Sequence, residues 1–256
     1  MAKIIWDAPE AFNIDQFGFG WGLVAGNKNN TTRSSTKYVL NYNAGDRDEY
    51  TGKGFKYDSK SKITAGTITK LVGYDNNVKL GEISGVKIDV AQAIAAQKSK
   101  SKADDRDLFA KAFAGNDTIR GGDKNDKLEG FAGKDKITGG LGADKLYGGD
   151  GADTFVFTKV QDSTVAKSGR DTIYDFSSKE KDRIDLKAID ANINAGGNQA
   201  FSFIGTKSFK KKAGELRYEK ASGGVTVYGD VDGDGKADFS IHLKSIAALA
   251  KADFIL

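Results

Sequence analysis

The sequence predicts a mainly β protein: a parallel β-roll with a C-terminal β-sandwich-like cap and an N-terminal β-rich domain that carries two short helices. Three observations support this. Aspartate recurs every nine residues in the middle of the chain, glycine recurs ahead of it, and an apolar residue usually follows it by two positions. On both sides, short segments rich in β-branched and aromatic residues alternate with Gly, Asn and Asp turns. The expected domains are residues 1–111, 112–174 and 175–256.

The first domain is expected to consist of strands followed by two helices. Its strand candidates are KYVLNYN, GFKYD, KITAGTITKLVGYD and VKLGEISGVKIDV. The FGFGWG run at residues 17–22 has glycine spacing like a dinucleotide-binding loop, but the preceding strand and following helix of such a loop are missing. Its aromatic side chains are therefore expected in a core.

Two helices are predicted between these strands and the repeats. Asp89 is expected to cap VAQAIAAQ, and Asp104 or Asp105 is expected to cap RDLFAKAF. The second helix has an apolar face and ends where the first repeat begins. We expect it to cover the open end of the roll, because repeat arrays need capping and exposed sheet edges aggregate.

Each nonapeptide predicts a tight glycine turn followed by a very short strand with one inward apolar residue. Five good copies fill residues 112–156, and two weaker ones, FTKVQDSTV and AKSGRDTIY, follow in phase. Thr164 replaces the inward apolar residue in the first weak copy. The candidate metal ligands are the aspartates and the carbonyl-bearing turn glycines: Asp117, Asp126, Asp135, Asp144, Asp153, Asp162, Asp171, Gly115, Gly122, Gly133, Gly140, Gly142, Gly149, Gly151 and Gly169.

Two nonapeptides make one rung of a flattened parallel coil, so alternate aspartates should stack roughly 4.7–4.9 Å apart. The expected columns are Asp117, Asp135, Asp153 and Asp171 on one side and Asp126, Asp144 and Asp162 on the other. Two carboxylates at that spacing repel by about 1 kcal/mol in water and by several times more at an effective dielectric constant of about 20. Calcium, a hard cation that takes carboxylate and carbonyl oxygens, fits such columns. The roll is therefore expected to fold only with calcium.

Composition narrows the remaining choices. The 256-residue chain has no cysteine, which excludes disulfides and thiol chemistry. Its net charge of +4 comes from scattered lysines, so nucleic-acid binding is not expected. No segment approaches the ~18 apolar residues of a membrane span. The N-terminal residues lack a signal-peptide pattern, which by itself favours a cytosolic location.

From about residue 139 onward, the chain resembles the C-terminal domain of serralysin-type secreted proteases, members of the RTX calcium-binding family. The matching segments are GADTFVF (151–157), GRDTIYDF (169–176), DRIDL (182–186), DVDGDGKADFSI (230–241) and the final DFIL. The resemblance implies a calcium ligand at Asp171. It also implies that Asp253–Leu256 is a signal read by a type I (ABC) secretion transporter. A secreted, extracellular or cell-surface protein is therefore expected, in place of a cytosolic one.

The chain departs from serralysins in lacking their H-E-x-x-H zinc site, because its single histidine is His242. We therefore expect no enzyme activity. The expected function is that of a calcium-binding matrix, surface-layer or adhesion component, with exopolysaccharide or further copies of itself as partners. The alternative is a secreted effector or carbohydrate-active protein whose activity resides in the N-terminal domain.

A second acidic motif lies outside the repeats. Asp230, Asp232 and Asp234, followed by Gly235, have the D-x-D-x-D-G opening of a calcium loop, but the twelfth position is Ile241 instead of glutamate. A solvated hairpin turn over Asp230–Asp238 is favoured, and a partial calcium site remains open.

Overall fold

A computed structural model describes residues 1–8, 10–13, 31–43, 45–60, 62–99 and 101–256. The FGFGWG run lies outside the described residues. The protein is mainly β, as predicted. No helix among the described residues is both long enough and apolar enough to cross a membrane.

The chain divides into two compact units. The first contains residues 1–9 and 13–118, and the second contains residues 10–12 and 119–256. The roll and the segment after it, which were expected as separate domains, thus belong to the same unit.

The first unit is built on one antiparallel sheet with neighbour order β2-β3-β4-β5-β6-β1. Its strands are β1 (Lys3–Trp6), β2 (Thr31–Arg33), β3 (Lys37–Asn43), β4 (Asp46–Tyr57), β5 (Ile63–Asp75) and β6 (Val78–Asp89). Asn76 and Asn77 both have positive φ, 47° and 65°, and form the two-residue turn between β5 and β6. Asparagine tolerates this conformation, which matches the twist of a hairpin. Leu40 and Ile68 are fully buried in the core of this unit.

Two helices follow β6, α1 (Val90–Ser99) and α2 (Lys102–Ala112). Asp89 caps α1 as predicted, since its carboxylate accepts the Gln92 N–H at 2.9 Å. The predicted cap at Asp104 or Asp105 is wrong, because α2 begins at Lys102 and both acids lie in its first turn. Negative charge in that turn still favours the helix through its dipole. The expected role of α2 in covering the roll stays a prediction.

The second unit contains two roll sheets. The first roll sheet has the order β7-β10-β13-β15-β20, and the second has the order β8-β11-β14-β19-β18-β17-β16. The roll strands are β7 (Thr118–Arg120), β8 (Lys127–Glu129), β9 (Ala132–Gly133), β10 (Lys136–Thr138), β11 (Lys145–Tyr147), β12 (Asp150–Gly151), β13 (Thr154–Val156), β14 (Thr172–Ile173) and β15 (Arg183–Asp185). The later strands are β16 (Ser202–Gly205), β17 (Glu215–Ala221), β18 (Gly224–Asp230), β19 (Phe239–Lys244) and β20 (Phe254–Ile255). The turn strands β9 and β12 pair separately.

The inward residue of each strand builds the core between the two roll sheets. The predicted inward residues are confirmed by their burial: Ile119, Leu128, Ile137, Leu146, Phe155 and Ile173 are at most 1% exposed. Burying one such side chain stabilises the fold by roughly 1.5–3 kcal/mol. Leu243 and Phe254, from strands after the repeats, continue the two inward rows.

The first weak repeat does not form a strand. Residues 157–165 leave the sheets and contain the 3₁₀ helix Val160–Asp162, and a second 3₁₀ helix follows at Lys167–Gly169. Thr164 explains the departure, because this copy has no apolar side chain at the inward position. The next strand, β14, therefore pairs with β11 in the second roll sheet.

The last residues of the chain are ordered within the roll. Strand β20 pairs in parallel with β15, and Leu186 N–H donates to the Ile255 carbonyl at 2.9 Å. The Phe254 ring lies 5.1 Å from the Phe203 ring. The segment that resembles an export signal is thus the final strand of the first roll sheet.

Candidate metal centre

Hydrogen bonds along each column link the aspartates of successive rungs. The backbone N–H of one aspartate donates to Oδ1 of the aspartate on the next rung. The pairs are Asp126 to Asp144 at 2.7 Å, and Asp135 to Asp153, Asp144 to Asp171 and Asp153 to Asp182 at 2.9 Å. At the start of the columns, Phe12 N–H donates to Asp126 at 2.6 Å and Ala2 N–H donates to Asp117. Each carboxylate is therefore fixed by the backbone of its neighbour.

These bonds and the strand pairing correct the predicted columns. The first column continues from Asp153 to Asp182, and Asp171 belongs to the second column after Asp144. The predicted place of Asp171 in the first column was wrong because the first weak repeat does not form a strand. Asp182 takes that place although it is out of nine-residue phase. The sequence signal was present, because Asp182 and Ile184 repeat the Asp–x–apolar pattern.

The second carboxylate oxygen, Oδ2, is buried in several of the column aspartates. The Oδ2 atoms of Asp144, Asp153 and Asp171 are buried and have no hydrogen-bond partner among the described residues. These three side chains are at most 1% exposed. A buried polar atom without a partner costs roughly 1–3 kcal/mol, and more when it is charged. A bound cation or a bound proton would offset this cost.

Asp144 and Asp171 converge on one point. A Cβ placed on Gly139 would overlap Oδ2 of Asp144 and lie 3.0 Å from Oδ2 of Asp171. Both unpartnered oxygens thus face the same glycine α-carbon, where the absence of a side chain leaves them room. This pair of buried oxygens is a candidate cation site.

Burial shifts the pKa of this pair strongly upward. Burial raises the pKa of Asp144 to about 8, and the carboxylates of Asp126 and Asp162 add to the rise. The pKa of Asp171 is also raised, by burial and then by the charge of Asp144. Without a cation, the two groups therefore favour bound protons over two adjacent negative charges.

The other column shows the same effect. Burial raises the pKa of Asp153 to about 6, and the charges of Asp175 and Glu180 add to it. Burial likewise raises the pKa of Asp182 to about 6, with Asp153 as a neighbouring charge. Both columns therefore contain carboxylates whose ionised form is disfavoured by burial.

The turn glycines fall into two groups. Positive φ, between 87° and 140°, occurs at Gly133, Gly140, Gly142, Gly149 and Gly151. In the last four of these, a Cβ would collide with or closely approach a carbonyl of the previous rung, so the carbonyls stack along the turn. The other predicted ligand glycines, Gly115, Gly122 and Gly169, do not have positive φ. Whether any of these carbonyls binds calcium stays a prediction.

Sequence reasoning missed the glycine that opens four of the five good repeats. A Cβ on Gly121, Gly130, Gly139 or Gly148 would overlap Oδ2 of the aspartate in the same repeat. These positions must be glycine because the carboxylate occupies the space of a side chain. The signal was visible in the sequence, as a glycine five residues before Asp126, Asp135, Asp144 and Asp153.

Asp162 lies outside both ladders. Its carboxylate accepts the Thr158 N–H at 2.6 Å, the Thr158 hydroxyl at 2.8 Å and the Lys159 N–H at 3.2 Å, which closes the first 3₁₀ turn. Its charge nonetheless raises the pKa of Asp144 and Asp171. Its predicted stacking with Asp126 and Asp144 was wrong, and its role as a calcium ligand stays a prediction.

Asp175 and Asp182 close the other end of the ladders. Asp175 accepts the N–H groups of Gly148 and Gly149 at 2.9 and 3.0 Å. The second oxygen of Asp182 accepts the Ser177 N–H at 2.9 Å. Both carboxylates are thus held by backbone N–H donors.

The acidic loop between β18 and β19 is a hairpin turn, as favoured from the sequence. The two oxygens of Asp230 accept N–H groups from Gly233 and Gly235, at 2.6 and 3.0 Å. Carboxylate oxygens of Asp230, Asp232 and Asp238 lie within 4.8 Å of one another. Backbone donors already satisfy Asp230, and the partial calcium site stays a prediction.

Comparison with known proteins identifies the family. The family model described as Peptidase M10 serralysin C terminal matches residues 19–256, so the chain belongs to this family. Its members are secreted proteins, and the family typically binds calcium. This agrees with a secreted, calcium-binding protein of the RTX type.

Two solved structures are similar in part. Both are subunits of the Azotobacter vinelandii mannuronan C5-epimerase. The AlgE6R3 subunit is 28% identical, with 56% of this chain and 74% of that chain covered and a TM-score of 0.40. The AlgE6R2 subunit is 27% identical, with 54% and 80% covered and a TM-score of 0.38. A comparison with curated proteins found no match.

The geometry around Gly139 predicts the effect of a single methyl group. Gly139→Ala should displace the Asp144 carboxylate and raise the calcium concentration for half-maximal folding by about tenfold, or ~1.4 kcal/mol. Circular dichroism during a calcium titration measures this. Gly196→Ala is the matched control, since no atom lies within 4 Å of a Cβ there. Equal calcium midpoints for the two variants would contradict the site.

Proposed function

We propose that this chain is a secreted protein that folds on extracellular calcium and serves, without enzyme activity, as a matrix, surface-layer or adhesion component. The observation that carries the proposal is the pair of buried carboxylates, Asp144 and Asp171, whose unpartnered oxygens face Gly139. We also propose an export route and a binding partner outside the cell.

Calcium suits this pair because of charge and donor type. Asp144 and Asp171 would hold the ion between them, and Asp153 offers a third unpartnered oxygen in the other column. All donors are oxygens, which calcium prefers over nitrogen or sulfur. When bound, the ion supplies the positive charge that lets both carboxylates stay ionised in the core. Its binding energy then adds to the stability of the folded state alone.

The export route follows from the resemblance of the last four residues to a type I secretion signal. In the folded protein, Phe254 and Ile255 form β20, and Asp253 accepts the Ala250 N–H at 2.7 Å. An ABC transporter would therefore have to read this segment before the chain folds. Low calcium inside the cell keeps the roll unfolded for export, and higher calcium outside lets it fold.

The proposed lack of enzyme activity rests on the positions of the carboxylates with raised pKa and of the single histidine. In the roll, the carboxylates with raised pKa are held in ladders by backbone N–H groups. The single histidine, His242, lies in β19 with Nδ1 3.1 Å from the Thr226 hydroxyl. This arrangement favours a structural role for His242 over general base catalysis.

Removal of calcium should unfold the roll. In excess chelator, the strand signal in circular dichroism should fall, and added calcium should restore it. Asp171→Asn should raise the calcium midpoint by about tenfold or more. In chelator above about pH 8, where Asp144 loses its proton, the same variant should be more stable than the wild type, because one of two repelling charges is gone.

Asp104→Asn, at an exposed position of α2, is the control and should leave the calcium midpoint unchanged. A wild-type strand signal that is the same with chelator and with calcium would refute calcium-dependent folding. Loss of stability in chelator above about pH 8 for Asp171→Asn would refute the repulsion between Asp171 and Asp144.

Deletion of Asp253–Leu256 should prevent export. Full-length and truncated chains would be expressed in a host with a type I exporter, and immunoblots of cells and medium would be compared. The truncated chain should remain in the cells because its signal is missing. Ile193→Ala, which changes a side chain that is 61% exposed, should be exported normally. Truncated protein in the medium at the wild-type level would disprove this export route.

A further inference from the structure

The outer face of the second roll sheet carries two rows of side chains. Lys145, Thr172 and His242 are in register across β11, β14 and β19. The next outward row contains Tyr147 of β11, Lys244 of β19 and Tyr174, which directly follows β14. Between these rows lie Leu146, Ile173 and Leu243, which are fully buried, so the flanking residues point away from the core.

We define the cationic strip as Lys145, Arg170, Lys244 and the tyrosine pair Tyr147 and Tyr174. Lys145 and Lys244 are exposed and Arg170 is half-buried. None of these three cations makes an ion pair with an acid in the part of the chain that the structure describes. The three cations of the strip are therefore not held in ion pairs with described residues, and the nearest acid in register is Glu129 of β8, beside Tyr147.

The field of the strip reaches the histidine at its centre. Burial lowers the pKa of His242, and the positive charges of Arg170 and Lys244 lower it further. Cations from two separate segments of the chain thus lower the pKa of the same histidine. Their positive charges add at this part of the sheet.

The tyrosine pair limits what kind of ligand can bind. The rings of Tyr147 and Tyr174 stack with centroids 4.7 Å apart and an interplanar angle of 19°. Lys127 Nζ lies 5.2 Å from the Tyr147 centroid, and Lys244 Nζ lies 4.3 Å from the Tyr174 centroid. Ammonium groups therefore cover the outer ring faces, where a nucleic-acid base would have to stack. The strip offers hydrogen-bond donors in place of ring faces.

We propose that the cationic strip binds an acidic polysaccharide that carries carboxylates along its chain. Ammonium and guanidinium groups make strong, charge-assisted hydrogen bonds to anionic oxygens such as those of carboxylates. Lys145 and Lys244 lie two strands apart, a span of about 10 Å. An extended polymer laid across the strands would meet one cation after another. This rests on the proposed function and names the partner of the calcium-folded protein.

Binding of the full-length protein in calcium to a hyaluronan oligosaccharide tests the proposal, with a neutral chitin oligosaccharide and a single-stranded DNA as comparison ligands. Hyaluronan carries a carboxylate on every second sugar. The double variant Lys145→Ala/Lys244→Ala should weaken hyaluronan binding by about tenfold. The double variant Lys145→Arg/Lys244→Arg, which keeps both charges, should bind hyaluronan as the wild type does. Binding should also weaken as salt is raised.

Lys136→Ala/Arg183→Ala is the matched control. It removes two exposed cations from the outer face of the first roll sheet, so net charge changes equally. Unchanged hyaluronan binding in this variant supports the strip. Equal losses in both alanine variants, no loss in either, or tighter binding to DNA would overturn the proposal. Circular dichroism with calcium, recorded for every variant, separates failure of calcium-dependent folding from failure of the strip.

Discussion

The fold depends on one unfavourable arrangement: carboxylates stacked in the core of the roll, one on each rung. The hydrogen bond from each aspartate N–H to the next carboxylate sets the register of the coil. That bond uses only one oxygen. The other oxygens of Asp144, Asp153 and Asp171 remain buried without a hydrogen-bond partner among the described residues. The protein therefore folds around charges that it cannot satisfy with its own groups in this region.

Other features of the roll follow from this constraint. The glycine that opens four of the five good repeats makes room for a carboxylate, and the glycines with positive φ let the carbonyls of successive turns stack. Asp175 and Asp182 end the ladders by accepting backbone N–H groups. The final strand, β20, adds the chain terminus to the same sheet. A cation between Asp144 and Asp171 would thus act on carboxylates that also set the register of the turns.

The sequence predicted the roll because its period, glycines and inward apolar residues all agree, and agreement between levels specifies a fold. It did not predict the change of column at Asp171. A nine-residue period records spacing, and only packing shows that a copy with Thr164 at the inward position leaves the sheet. The cap of α2 was missed because the helix begins before its apolar face, at Lys102, with Ser101 at the N-cap position. The cationic strip was missed because its cations come from segments far apart in the chain.

Thermal unfolding in excess chelator across about pH 5 to about pH 9 tests the central claim most directly. Burial raises the pKa of Asp153 and Asp182 to about 6 and of Asp144 to about 8. The folded state then binds more protons than the unfolded chain, so stability is lost as pH rises through those values. The account predicts an unfolding temperature that falls with pH in chelator and changes much less in calcium. An unfolding temperature that rises with pH in chelator, or the same pH dependence with calcium, would contradict it.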